Sequence, residues 1–185
     1  LPLVLGGLVL AASVPARAGW LDSLFGGGSV AGESRGPSNQ KLWVVRENSE
    51  VRIAAREAGA PPNQHPAQLN PELLRQQLAQ IRFEPGGTVT RPLFSPDEAA
   101  ELVQPLLEAF GNAGPGDDVL LVSSARRGDA VLLRPVAVTA RLYVQDGRLQ
   151  MIVNDARYEF YDNMRGTNRP PEFTYGSRTR ASKAV

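Results

Sequence analysis

Apolar residues change their period several times along the chain, and each change marks an element. Leu1–Ala12 is an uncharged apolar run, followed by the helix-breaking Ser13-Val14-Pro15 and by Ala16-Arg17-Ala18. An apolar segment ending in small residues one position apart is the pattern of a secretory signal peptide, so residues 1–18 are expected to be removed between Ala18 and Gly19. The run is shorter than the ~20 apolar residues a membrane-spanning helix needs, and no span is expected in the mature form. A basic segment with an initiating Met is expected a few residues upstream. Residues 19–40 contain Gly26-Gly27-Gly28-Ser29, Gly32 and Gly36-Pro37. They predict a flexible leader, because this composition buries too little apolar surface to offset ordering.

From Lys41 the pattern becomes that of a folded unit. Leu42–Val45 is an apolar run and Asn48-Ser49 a turn, after which Val51, Ile53 and Ala55 alternate with Arg52 and Ala54. This predicts two short strands, or one bent strand. Glu57–Pro66 reads as a loop. Asn70-Pro71 then starts a helix, with Asn as N-cap and Pro in the first turn. Its apolar stripe is Leu73, Leu74, Leu78 and Ile81. Two short extended pieces flank Pro85-Gly86-Gly87. Ser95-Pro96-Asp97-Glu98 is a capping box, and the helix it opens buries Ala99, Leu102, Val103, Leu106, Leu107 and Phe110. Pro105 inside that stripe predicts a kink or short break near Glu101.

The remainder alternates with period two. Strands are expected at 119–122, 131–133, 136–145 and 148–153. Val136, Val138, Ala140, Leu142 and Val144 share one face, with Thr139, Arg141, Tyr143 and Gln145 on the other. Asp146-Gly147 is a two-residue hairpin turn. Asn154-Asp155 is expected to turn the chain once more into 158–161. Residues 164–185 show no apolar period and predict a disordered basic tail, carrying Arg165, Arg169, Arg178, Arg180 and Lys183 against Glu172 alone. The fold class is therefore α+β, two helices packed on an antiparallel sheet within residues 41–163.

Composition narrows the chemistry. There is no Cys among the 185 residues, hence no disulfide, thiol nucleophile, thiolate metal ligand or acylated cleavage-site Cys in this sequence. The net charge of +1 falls to near neutral without Arg17, which argues against nucleic acid as a partner. His65 is the single histidine and has no G-x-S-x-G serine to serve, nor companion ligands for a metal. Asp97-Glu98 and Asp117-Asp118 are adjacent pairs whose side chains diverge, so neither makes an acid/base dyad. Gly26–Ser29 lacks the Lys-Ser/Thr of a phosphate loop. No cofactor is called for.

The residues that could carry binding are His65, Arg141, Tyr143 and Tyr158. Arg141, Tyr143 and Tyr158 would join Trp43, Phe160, Tyr161 and Arg157 in a stacking platform, although ordinary strand packing accounts for most of these aromatics. Two segments, Pro62-Asn63-Gln64-His65-Pro66 ahead of Leu69 and the Leu73 helix, and Arg141–Leu149, resemble exported periplasmic proteins of proteobacteria over Val51–Val153. The likeness carries no activity with it. The expected function is a non-enzymatic periplasmic binding or assembly factor acting on a cell-envelope protein. The alternatives are a periplasmic hydrolase using a carboxylate and His65, and a structural component of a surface appendage or secretion machine.

Overall fold

The computed structural model describes residues 8–10, 41–85, 89–127 and 134–180. The elements in chain order are β1 (Leu8–Leu10), β2 (Leu42–Arg46), β3 (Ser49–Ala55), α1 (Pro71–Gln80), β4 (Arg82–Phe83), β5 (Arg91–Pro92), α2 (Pro96–Asn112), β6 (Asp117–Ala125), β7 (Val136–Gln145), β8 (Arg148–Tyr158) and α3 (Tyr161–Thr167). Strands 2, 3, 6, 7 and 8 make the body of an antiparallel sheet in the order β8-β7-β6-β3-β2, and the three-residue β1 pairs outside β8. Both helices of the β3–β6 connection lie on one face, so two strands adjacent in the sheet are separated in sequence by the whole helical layer.

Local chemistry starts each helix where expected. The Asn70 side chain accepts from the Leu73 N–H, with Pro71 in the first turn. Ser95 and Glu98 form the reciprocal capping box. The β7–β8 turn places both Asp146 and Gly147 at positive φ, the conformation a two-residue hairpin requires.

The core lies between the helices and one sheet face. Leu74 and Leu78 of α1 and Leu102, Leu106 and Phe110 of α2 pack on Val51, Ile53, Val119, Leu121, Val138, Ala140, Leu142, Val144, Leu149 and Met151. The alternation in 136–145 therefore assigns its faces correctly.

Four expectations need correction. The helix count rises to three, because the chain turns into α3 at Tyr161 where a strand was expected to end. Asn154-Asp155 does not turn the chain. β8 runs through it, and a register irregularity opposite Ala137–Thr139 absorbs the misfit while Asp155 exchanges hydrogen bonds with Thr139 across the strands. α2 is continuous through Pro105, since packing on the core keeps the turns together despite the one hydrogen bond the proline lacks. The tail is not disordered over 164–180: after α3 it crosses the sheet face opposite the helices as an irregular strap, with Gly176 buried. The expected cleavage site at Ala18-Gly19, the leader 19–40, the strand 131–133 and residues 181–185 fall outside the described residues, and β1 lies within the segment expected to be removed. Among the described residues, no helix is long and apolar enough to cross a membrane.

The strap covers its face with few apolar groups. Phe160, Val122 and Ala137 are buried there, with Met164, Phe173 and Tyr175 packed against them. Gly176 is required by close approach, because a Cβ at that position would stand 2.6 Å from the Ile152 carbonyl oxygen and 2.5 Å from its Cγ2.

Leu106 and Leu142 are each fully buried in the helix-side core. Changing either to Ala is expected to cost about 2–5 kcal/mol in urea unfolding followed by circular dichroism. A cost under about 1 kcal/mol would contradict the packing.

Candidate functional site

The most concentrated polar chemistry lies under the strap, and it begins with a doublet at the start of β6. The Asp117 side chain accepts from the Gly114 N–H at 2.8 Å and closes the turn that ends the helical layer. Asp118, one residue on, points to the opposite face and is fully buried. A carboxylate out of water must be compensated, and three elements supply the partners. The guanidinium of Arg141 on β7 donates to Asp118 Oδ2 at 2.5 Å. The amide of Asn63, in the loop after β3, donates to Oδ1 at 2.8 Å. The guanidinium of Arg178 on the strap reaches Oδ1 at 3.5 Å.

Arg178 is held on all sides. Its side chain is only 4% exposed. Nη1 donates to Asn63 Oδ1 at 2.7 Å and Nη2 to Gln145 Oε1 at 3.0 Å. Its guanidinium carbon sits 3.8 Å from the centre of the Tyr143 ring, within cation–π range. The neighbouring strap backbone is fixed as well. Arg141 Nε donates to the Gly176 carbonyl at 2.6 Å. Glu57 receives the Arg178 N–H at 2.6 Å and the hydroxyls of Ser177 and Thr179 at 2.5 and 3.1 Å. Burial pushes the Glu57 carboxyl up, but these three hydrogen bonds and the Arg141 charge outweigh it and leave it below the usual carboxylate range.

The predicted site residues divide. Arg141 and Tyr143 meet in this cluster. Tyr158 does not join them: it lies at the end of β8, edge-on to Phe173 at 6.2 Å. His65 is on the helix side, 5% exposed. There its Nε2 accepts the Val144 N–H at 3.0 Å, and its ring stands edge-on to Phe110 at 5.2 Å. The imidazole thus takes the place of a strand partner for β7 past Val119↔Leu142, where the pairing with β6 ends, while the Gln64 N–H donates to the Val144 carbonyl beside it. The expected aromatic platform does not form, because its members face different ways. Trp43 donates to Glu108 of α2, Phe160 is buried under the strap, Arg157 lies over Phe83 and Tyr161 pairs with Arg165.

Asp118, Asn63, Glu57, Gln145 and Arg178 were missed. In the sequence Asp118 stands only as half of a diverging acidic pair with Asp117. Its alternation with the apolar Val119 and Leu121 was the available signal that it faces across the sheet. Glu98 also exceeds its capping role. Its Oε1 accepts from the Ser123 hydroxyl and from Arg127, which in turn donates to the carbonyls of Ser123 and Val136. This second buried ion pair ties the start of α2 to the end of β6.

Beside the strap a groove of about 550 Å³ opens between β2–β3 and residues 170–175. Val44, Arg46, Glu50 and Arg52 form one wall, and Pro170, Pro171, Phe173 and Tyr175 the other. Arg52 bridges the walls by donating to the Tyr175 hydroxyl at 3.0 Å. Among the described residues, no cluster of three or more His, Asp or Glu stands together as a metal site. No protein-family model, curated protein or solved structure matches the chain.

Two measurements bear on these assignments. Asp118→Ala leaves Arg141 and Arg178 without their shared anion, and is expected to cost about 3–5 kcal/mol by urea unfolding. A loss under about 1 kcal/mol would show that the cluster holds little together. For His65, burial lowers the imidazole pKa from its ordinary 6.5, outweighing the opposing pull of Asp118. The unfolded chain therefore binds the proton first, and stability should fall as the pH drops below about 6.5, by at most about 1.4 kcal/mol per pH unit. His65→Gln should flatten that part of the stability–pH curve. An unchanged slope would mean that His65 titrates normally.

Proposed function

We propose that this protein is an exported periplasmic binding or assembly factor that acts, without catalysis, on a protein partner in the cell envelope. The observation that carries this reading is the groove and the strand bordering it. Among the described residues β2 is one of the two end strands of the sheet, and it exposes Val44 at 74%. A strand at the end of a sheet can be extended by an added strand, and an exposed apolar side chain such as Val44 gives such an addition selectivity. The groove next to it, with apolar Val44, Pro170 and Phe173 among charged Arg46, Glu50 and Arg52, suits an extended polypeptide better than a small apolar ligand. The compartment rests on Leu1–Ala12 followed by Ala16-Arg17-Ala18 and on the resemblance to exported proteobacterial proteins.

The hydrolase alternative is less well supported. The imidazole of His65 has its Nε2 engaged with backbone, and the buried carboxylates of Asp118 and Glu98 are each held by arginine. A role as a structural component of an appendage or secretion machine would use the same strand edge, and the identity of the partner separates it from the assembly role.

A photo-crosslinking residue at Val44 in living cells is expected to give adducts with an envelope protein, whereas one at Gln80 of α1, exposed on the helix side, should give none. Intact-mass analysis of the periplasmic fraction should find Gly19 as the first residue. Equal labelling from both positions would remove the groove from consideration, and a cytoplasmic protein retaining residues 1–18 would overturn the envelope reading.

A further inference from the structure

We propose that the slot around Asp118 is a receptor for arginine within an extended polypeptide, and that the strap is its resident, exchangeable occupant. The inference deepens the binding reading above by naming the chemistry of the partner: an unfolded or loop segment with a glycine two positions before an arginine. The slot contains what a guanidinium needs. It offers a carboxylate oxygen of Asp118, two side-chain amide oxygens from Asn63 and Gln145, and the face of the Tyr143 ring at 3.8 Å. Planar donors meeting acceptors around their rim and an aromatic ring on their face distinguish arginine from lysine, whose compact ammonium cannot fill both at once.

Recognition extends from the side chain to the backbone around it. Glu57 receives the N–H of the arginine and the flanking hydroxyls of Ser177 and Thr179, and Arg141 holds the carbonyl of the residue two before it. That residue must be glycine, because Ile152 leaves no room for a Cβ.

Three features make the occupant exchangeable. First, without Arg178 the Asp118 carboxylate keeps Arg141 and Asn63, so an empty slot retains its shape. Two carboxylates, Asp118 and Glu57, then face one guanidinium, Arg141, and the vacant site is net negative. Second, among the described residues the strap enters no strand pairing of the sheet, and side chains make its fixed points. Third, the apolar core on the helix side closes without it: the cluster there includes no residue beyond Ala156. The strap also forms one wall of the groove, so a partner arriving along β2–β3 meets the strap before it meets the slot.

The test uses the full chain carrying Gly176→Val and Arg178→Ala, which dislodges the strap without removing it. The probe is a fluorescein-labelled peptide of residues 169–180, followed by fluorescence anisotropy. The double variant should bind the peptide at least about tenfold more tightly than wild type, whose slot is filled in cis. The same peptide with Arg178→Ala should lose at least about tenfold in affinity, as expected for removal of an anchoring arginine, and Arg178→Lys should not restore it. Free L-arginine at the peptide's concentration should leave it bound. The proposal is overturned by equal affinity for both proteins, by a folded double variant that does not bind, or by displacement with free arginine. It is also overturned if the double variant loses cooperative thermal unfolding, since the strap would then be part of the fold. Peptide binding in solution is independent of export and of the Val44 adducts, so failure here leaves the envelope reading standing, and the reverse holds too.

Discussion

A carboxylate buried without any contact with water is the constraint around which this molecule is arranged. Asp118 would cost several kcal/mol if left alone. Its compensation comes from the loop after β3, from β7 and from the strap, three segments that no hydrophobic pattern brings together. The sheet face toward the helices is specified by the ordinary means, apolar side chains at period two meeting stripes at helical spacing. The opposite face is specified by charge and hydrogen bonding. A single position in β6, alternating with Val119 and Leu121, therefore decides how the loop after β3, a strand and the strap are joined.

That division explains what was legible in the sequence. The helix starts were, because Asn70 and Ser95 with Glu98 satisfy orphan N–H groups within four residues of themselves. So were the faces of β7 and the Asp146-Gly147 turn, which are equally local. The strap was not. Its residues 169–180 have no apolar period, because Thr174, Tyr175 and Arg178 hold the sheet through polar groups, and a glycine, a serine and an arginine in a row resemble an unstructured tail until Ile152, Glu57 and Asp118 are placed opposite. Asn154-Asp155 was misread for a related reason. Both are frequent turn residues, but here Asp155 bonds Thr139 across the strands and Asn154 donates to Thr174 of the strap.

His65 and Arg141 show the same contrast within the candidate site. Both were picked out for their rarity or position, and both make hydrogen bonds that bridge distant segments. His65 is spent on the backbone of β7, in a setting where burial lowers its pKa. Arg141 is spent on the hub, where one guanidinium serves a carboxylate and a strap carbonyl together. Only the second lies where another polypeptide can compete for its partners.

The groove and the arginine slot are not independent surfaces, because the strap separates them and belongs to both. Phe173 and Tyr175 face the groove, and Arg178 lies three residues beyond Tyr175 in the slot. Arg52, on the groove's other wall, holds the Tyr175 hydroxyl at 3.0 Å and lies over its ring at 5.1 Å. A segment entering the groove competes with Tyr175 for Arg52. A segment entering the slot competes with Arg178 for Asp118. Either event loosens a strap anchored at both places, so by linkage each favours the other to the same extent. The stiff Pro170-Pro171 pair, which fixes φ at two successive residues, sets the point about which the strap would have to swing.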